Sequence, residues 1–183
     1  VAAKAATRRV FYALWPDDAA RQQIMDCFRQ SVFSSKPGRL VTAENLHLTL
    51  HYMGLLELPV IEQLQQAAAQ IEPPAFSLLL DRFGHFAAAG VLWLGCSHTP
   101  EALVHLHQTL ANQLRAVGIE PERRAFQPHV SLMRHYKRAL TDEESVLAQL
   151  LNWTVSQFAL LESVSSSQGV YYRPLAVYPL IAE

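Results

Sequence analysis

The chain has 183 residues, half of them apolar and only 17% charged, against roughly 25% charged in an average soluble domain. That balance excludes a disordered chain, a collagen-like repeat and a disulfide scaffold, and no apolar run approaches the roughly 18 to 20 residues needed to cross a bilayer. A net charge of −1 supplies no global field to hold a long duplex.

The small, basic stretch from Val1 to Arg9 has no apolar core behind it, so it is not expected to be a signal peptide. Arg9 to Leu14 (RVFYAL) reads as a first strand. Pro16 and Asp17 open a helix whose apolar positions Ala20, Ile24, Phe28 and Val32 recur every four residues. A loop with Pro37 and Gly38 leads to a strand from Leu46 to Met53, stopped at Gly54. Ile61, Leu64, Ala68 and Ile71 mark a second helix, closed by Pro73 and Pro74. Phe76 to Leu80 and Val91 to Leu94 are expected strands, with Gly90 in the turn before the latter. Thr99-Pro100-Glu101 signals a helix start, Leu103, Leu106, Leu110, Leu114 and Val117 line one face, and Gly118 ends it. His129 to Met133 is a strand. Thr141 to Glu144 is a capping box, expected to open a helix to about Leu151. Trp153 to Leu161 and Val170 to Val177 complete the strands. Cys27 and Cys96 sit in apolar stretches and are expected as buried thiols of a cytoplasmic protein, not as a disulfide.

The order of elements repeats. The HLTL motif at His47 is followed 43 residues later by GVLW at Gly90, and the HVSL motif at His129 is followed 40 residues later by GVYY at Gly169. The expectation is one domain over 1–183, built as two pseudo-symmetric lobes with approximate repeats 16–95 and 99–180. The fold class is α+β: two antiparallel-rich sheets around a central cleft, helices outside.

Both motifs have the form His, apolar, hydroxyl, apolar. Alternation along a strand places His47 with Thr49 on one face and Leu48 with Leu50 on the other; His129 and Ser131 follow the same rule. A pseudo-twofold would bring both polar faces to one cleft holding two imidazoles and two hydroxyls. Two histidines suit a phosphodiester reaction. One takes a proton from the attacking oxygen, the other gives one to the leaving oxygen, and an ordinary pKa of about 6.5 lets both protonation states exist near neutral pH. The hydroxyls can donate to the non-bridging phosphate oxygens. Nearby, residues 122–138 carry Arg123, Arg124, Arg134, Lys137 and Arg138 against Glu122 alone, and the whole chain has 12 Arg to 3 Lys. The arginine fork matches phosphate oxygens.

These residues resemble the 2H phosphoesterase superfamily, which is defined by two His-x-Thr/Ser-x motifs on a duplicated LigT-like fold. Within it the chain most resembles the bacterial RNA 2′,3′-cyclic phosphodiesterases, also called 2′-5′ RNA ligases. The resemblance is carried by RVFYAL at Arg9, ENLHLTLHYMG from Glu44 to Gly54, GVLWLG from Gly90 and FQPHVSLMR from Phe126 to Arg134. It implies His47 and His129 as the catalytic pair, Thr49 and Ser131 as phosphate-binding hydroxyls, and Arg134 as a phosphate clamp. It also implies hydrolysis of RNA 2′,3′-cyclic phosphate ends to 2′-phosphates, with no metal or other cofactor, and reversible 2′-5′ RNA ligation beside it. His129 as base and His47 as acid is the assignment toward which the resemblance leans. The partner would be an RNA or oligonucleotide end, tRNA halves among them, and the enzyme a monomer.

Alternatives from other classes stay open. One is a binding module for RNA ends without turnover. Another is a hydrolase whose metal is held by His47, His51 and His129. A third is a related 2H enzyme for another cyclic phosphate, such as ADP-ribose 1″,2″-cyclic phosphate. Strict alternation sets Arg134 on the face opposite His129, so its reach into the cleft requires the strand to bend or end. The same alternation leaves His51 either lining the cleft or at its rim. Phe11, Tyr12 and Trp15 are expected in the core, not as a base-stacking platform. His105 and His107 point to different sides of their helix.

Overall fold

A computed structural model describes residues 6–167 and 169–182, so residues 1–5 of the basic N-terminal stretch lie outside the described part. Strand β1 (Thr7–Leu14) leads into helix α1 (Asp18–Gln30), where the Asp17 carboxylate accepts the Ala20 N–H at 2.8 Å and caps the first turn. Ala20, Ile24 and Phe28 are buried as their spacing predicts. Val32 is not: the chain tightens into a 3₁₀ turn over Val32–Ser35, Val32 is exposed, and Phe33 enters the core in its place.

A two-residue strand β2 (Arg39–Leu40) precedes β3 (Leu48–Glu57), α2 (Leu58–Ala68), β4 (Phe76–Phe86), β5 (Val91–Gly95), α3 (Glu101–Ala116) and β6 (His129–Arg134). Gly54, expected to stop β3, lies within it at φ +74°. It provides the left-handed backbone that a neighbouring irregularity in the ladder needs. The capping box at Thr141 forms, with the Thr141 hydroxyl accepting the Glu144 N–H and the Glu144 carboxylate accepting the Thr141 N–H. The helix expected to reach Leu151 does not: α4 covers only Asp142–Ser145, and β7 (Val146–Val155) follows at once. Leu147, Leu151, Trp153 and Val155 are buried on a strand that pairs with β4, so tertiary pairing overrides the local helix signal. The single strand expected from Trp153 to Leu161 is divided at Ser156 between β7 and β8 (Gln157–Ser166); β9 (Gly169–Pro179) completes the chain.

The strand order is β7-β4-β5-β6-β3-β1-β8-β9, with β2 on β6, and the described pairs are antiparallel. The two expected sheets are thus two halves of one nine-stranded sheet. They meet at one residue pair, Leu48↔Val130. In the sheet, β4 and β5 lie on the side of the second histidine strand β6, and β1, β8 and β9 on the side of the first histidine strand β3. Helices α1, α2 and α3 contribute Ile24, Phe28, Ile61, Leu64, Leu106 and Leu110 to the main core, together with Tyr12, Leu48, Val130 and other inward strand residues. The opposite sheet face carries a small second cluster, Phe11, Ala13, Ala159 and Leu161, flanked by Trp15 and Tyr172. Both cysteines are free thiols, Cys96 buried and Cys27 half-buried.

Candidate active site

The site grows from the Leu48↔Val130 pair. Both side chains are fully buried on the helix face, so their neighbours His47, Thr49, His129 and Ser131 emerge on the other. All four are half-buried. Continuing the antiparallel register by one residue sets His47 opposite Ser131 and Thr49 opposite His129. The two motifs thus face each other across this one pair.

The two imidazoles are held alike. His47 Nδ1 lies 2.7 Å from the Asn45 carbonyl oxygen, and His129 Nδ1 lies 2.7 Å from the Gln127 carbonyl oxygen. A carbonyl can only accept, so Nδ1 carries the proton in each ring and Nε2 is the free base. His47 Nε2 accepts from the Thr49 hydroxyl at 3.1 Å. Among the described residues His129 Nε2 has no protein partner. The rings sit against aromatic walls. His47 packs on Phe11 (centroids 5.1 Å apart) and meets Tyr172 edge-on at 4.8 Å. His129 meets Phe86 edge-on at 4.9 Å and Trp93 at 6.0 Å.

Arg134 reaches the cleft face by a β-bulge. Leu92 pairs with Met133 and Trp93 with Ser131, so Leu132 is an extra residue in β6. Leu132 and Met133 are both buried, and Arg134 comes out again on the side of His129. Strand β3 contains the same device. Tyr12 pairs with His51 and Ala13 with Thr49, which leaves Leu50 extra. Leu50 and His51 are both buried, and Tyr52 returns to the cleft face. His51 therefore turns into the core instead of lining the cleft. Its Nε2 bonds the His107 carbonyl at 2.8 Å and its ring stacks on His107 at 4.0 Å, which stacks on Phe126 at 4.0 Å. His47, His51 and His129 do not converge, and the three-histidine metal reading loses its ligand set.

Burial sets the electrostatics. It pushes the His47 imidazole down to about 4, against the pull of the Asn45 carbonyl, with Arg134 and His129 adding smaller downward pushes. Burial also lowers His129, with Arg134 again contributing. Arg134 thus acts on both rings from one place. Elsewhere in the basic stretch Arg124 pairs with Glu122 and Arg138 with Glu144, which ties those two arginines to local carboxylates.

The sequence profile of the 2′-5′ RNA ligase superfamily matches residues 15–166. The chain belongs to this superfamily. It is 32% identical to an RNA 2′,3′-cyclic phosphodiesterase of Escherichia coli K12 over 94% of this chain and 97% of that one. It is 27% identical to a protein of the same name from Thermotoga maritima over 91% and 92%. The crystal structure of E. coli LigT complexed with 3′-AMP superposes with a TM-score of 0.84 at 30% identity, covering 96% of this chain and 99% of that one. A crystal structure from Thermus thermophilus gives 0.73 at 26% identity, covering 96% and 99%. The superfamily fold, with its antiparallel sheet, is the fold described above.

All five residues singled out by the superfamily motifs, His47, Thr49, His129, Ser131 and Arg134, come to one face around the junction. Motif reading missed the surroundings. Asn45 donates from Nδ2 to the Val170 carbonyl and accepts the Tyr172 N–H at Oδ1, so it fastens the edge of β9 while its own carbonyl holds His47. Phe11 is buried, but on the cleft side beside His47, whereas Tyr12 enters the main core and donates to the Leu64 carbonyl. Alternation along RVFYAL carried that distinction. The contact between Asn45 and β9 spans about 125 residues of sequence and left no local trace.

Proposed function

We propose that this chain hydrolyses RNA ends bearing a 2′,3′-cyclic phosphate to 2′-phosphates by paired histidine acid/base catalysis. The observation that carries the reading is the matched pair of Nδ1-anchored imidazoles with their Nε2 atoms on one cleft face, beside Arg134. Activity under this name in the E. coli and T. maritima relatives supports it.

Water attacks phosphorus in line with the 3′-oxygen. His129 Nε2, unoccupied by protein, takes the water proton as the new P–O bond forms. The P–O3′ bond breaks, and the leaving oxygen takes a proton from Nε2 of protonated His47. Arg134 clamps the non-bridging oxygens, and the hydroxyls of Thr49 and Ser131 donate to them as charge grows. The phosphate's own negative charge restores the proton affinity that burial takes from the rings. A 5′-hydroxyl entering in place of water follows the same course: it gives its proton to His129 as the new P–O bond forms, the P–O3′ bond breaks with a proton from His47, and a 2′-5′ bond results; attack by the freed 3′-hydroxyl reverses it. The proposed enzyme needs no metal, is a monomer, works in the cytoplasm, and includes tRNA halves among its RNA ends.

An oligoribonucleotide ending in a 2′,3′-cyclic phosphate, offered in EDTA to the wild type and to His47→Ala and His129→Ala, tests the reading. Conversion to a 2′-phosphate, lost in both variants, is expected. A 3′-phosphate product, or full turnover in either variant, would overturn it.

A further inference from the structure

The matched bulges set Tyr52 at the place Arg134 holds on the other half of the site. Each is the first residue to return to the cleft face, after Leu50-His51 or after Leu132-Met133. Tyr52 carries no cation, but it holds one: Arg9 Nη1 donates to the Tyr52 hydroxyl at 2.9 Å. Arg9 is on β1 two residues before Phe11. The second irregularity of this ladder is an extra residue in β3, Met53, so alternation along β1 is unbroken and Arg9 shares the cleft face with Phe11. Two residues of strand span about 7 Å, and the Phe11 ring already touches His47. The Arg9 guanidinium is therefore one short step along the cleft floor from the reacting centre.

Its charge is also uncommitted. Arg8, on the opposite face, and Arg173 share the Glu162 carboxylate. Among the described residues Arg9 has no carboxylate partner; its one side-chain bond is to Tyr52. The Tyr52 oxygen accepts from Arg9, which leaves its own O–H to donate outward beside the remaining guanidinium N–H groups. Tyr52 is half exposed and lies outside the buried core.

We infer that Arg9 and Tyr52 form a second phosphate subsite, which takes the phosphate on the 5′ side of the terminal nucleoside while Arg134 faces the cyclic phosphate. The inference rests on the cyclic-phosphate reading above and deepens it. It makes the enzyme a reader of chain ends, favouring a terminal nucleoside that carries an upstream phosphate over a lone cyclic nucleotide.

The test compares adenosine 2′,3′-cyclic phosphate with the same compound bearing a 5′-phosphate. For the wild type the added phosphate should raise kcat/KM by about 10–100-fold, the range of a charge-assisted contact. In Arg9→Gln that ratio should collapse to within about threefold of unity, and Tyr52→Phe, which frees the guanidinium to move, should give a value between. Equal use of both substrates by the wild type, or an undiminished ratio in Arg9→Gln, overturns the subsite. Calorimetric titration with adenosine 2′-monophosphate and adenosine 2′,5′-bisphosphate reads the same contact without turnover. A wild type that prefers the bisphosphate yet turns over neither cyclic substrate keeps the subsite and sinks the hydrolase reading, whereas equal affinities remove the subsite.

Discussion

The two halves of the site are built alike and finished differently. On the first half His47 is held on three sides. The Asn45 carbonyl takes Nδ1–H, the Thr49 hydroxyl meets Nε2, and Phe11 and Tyr172 wall the ring. Asn45 is itself locked to β9 by two side-chain bonds. On the second half His129 has the matching carbonyl, from Gln127, but that residue is exposed and its side chain makes no described bond. Its Nε2 is free, and Arg134 follows on the same strand. Two like-anchored strand motifs thus present one fixed imidazole and one open imidazole beside a cation. That difference suits a fixed acid aimed at the leaving oxygen and an open base that meets water.

The largest effects should come from the rings. His47→Ala and His129→Ala are each expected to lower kcat/KM by about 10²–10⁴-fold; a small loss in either would break the symmetry at its root. Arg134→Gln is expected to cost about 10²-fold or more through weaker transition-state charge stabilisation. It should also raise the pKa of both histidines, because Arg134 depresses both. In the free enzyme burial holds the rings neutral, so the acid limb of kcat/KM should lie below 6.5, and Arg134→Gln should move it upward. The kcat profile, taken with phosphate bound, should lie at higher pH than that of kcat/KM. A coincident pair of profiles would contradict the account of burial. The anchors sharpen the comparison further. Asn45→Ala should lower kcat about tenfold with little change in KM and should shift the pH profile as His47 gains freedom. Gln127→Ala should do neither.

Much of this was legible because the chemistry is written in short local patterns. His-x-Thr and His-x-Ser on strands show which residues share a face, and their matched form leads to the expectation that the faces meet, as they do at Leu48↔Val130. The bulges are harder to see. In the second motif Leu132-Met133 are two apolar neighbours between polar Ser131 and Arg134, which is the signature of an extra residue. In the first, the second inward residue is His51, whose polarity hides the same step and makes it look like part of the cleft. The helix expected to reach Leu151 failed for another reason. Thr141 and Glu144 specify a helix start, but nothing local outweighs the pairing of Val146–Val155 with β4. The contacts of Asn45 and Arg9 depend on register across the sheet, which no local pattern encodes.

The smallest expected effect separates the histidines of the site from those of the core. His51 and His107 stack between β3 and α3, away from the cleft. Burial lowers both, His107 to about 4; the charge of His51 pushes His107 further down, and Arg115 does the same to His51 against the pull of the His107 carbonyl. The folded-state pKa values are thus below the unfolded value of about 6.5. Above that pH both states bind no proton and the stack costs nothing. As pH falls from about 6.5 towards 4, the unfolded chain binds protons that the folded chain refuses, so stability falls across that window. His47 and His129 add to the same slope. Melting temperature followed from pH 8 to pH 5 should therefore decline, by about 2–4 °C for each kcal/mol lost in a chain of this size. His107→Leu should make the decline shallower while leaving the pH profile of kcat/KM in place. A decline unchanged by that substitution would assign the whole slope to His47 and His129, and a shifted activity profile would mean that the stack reaches the cleft after all.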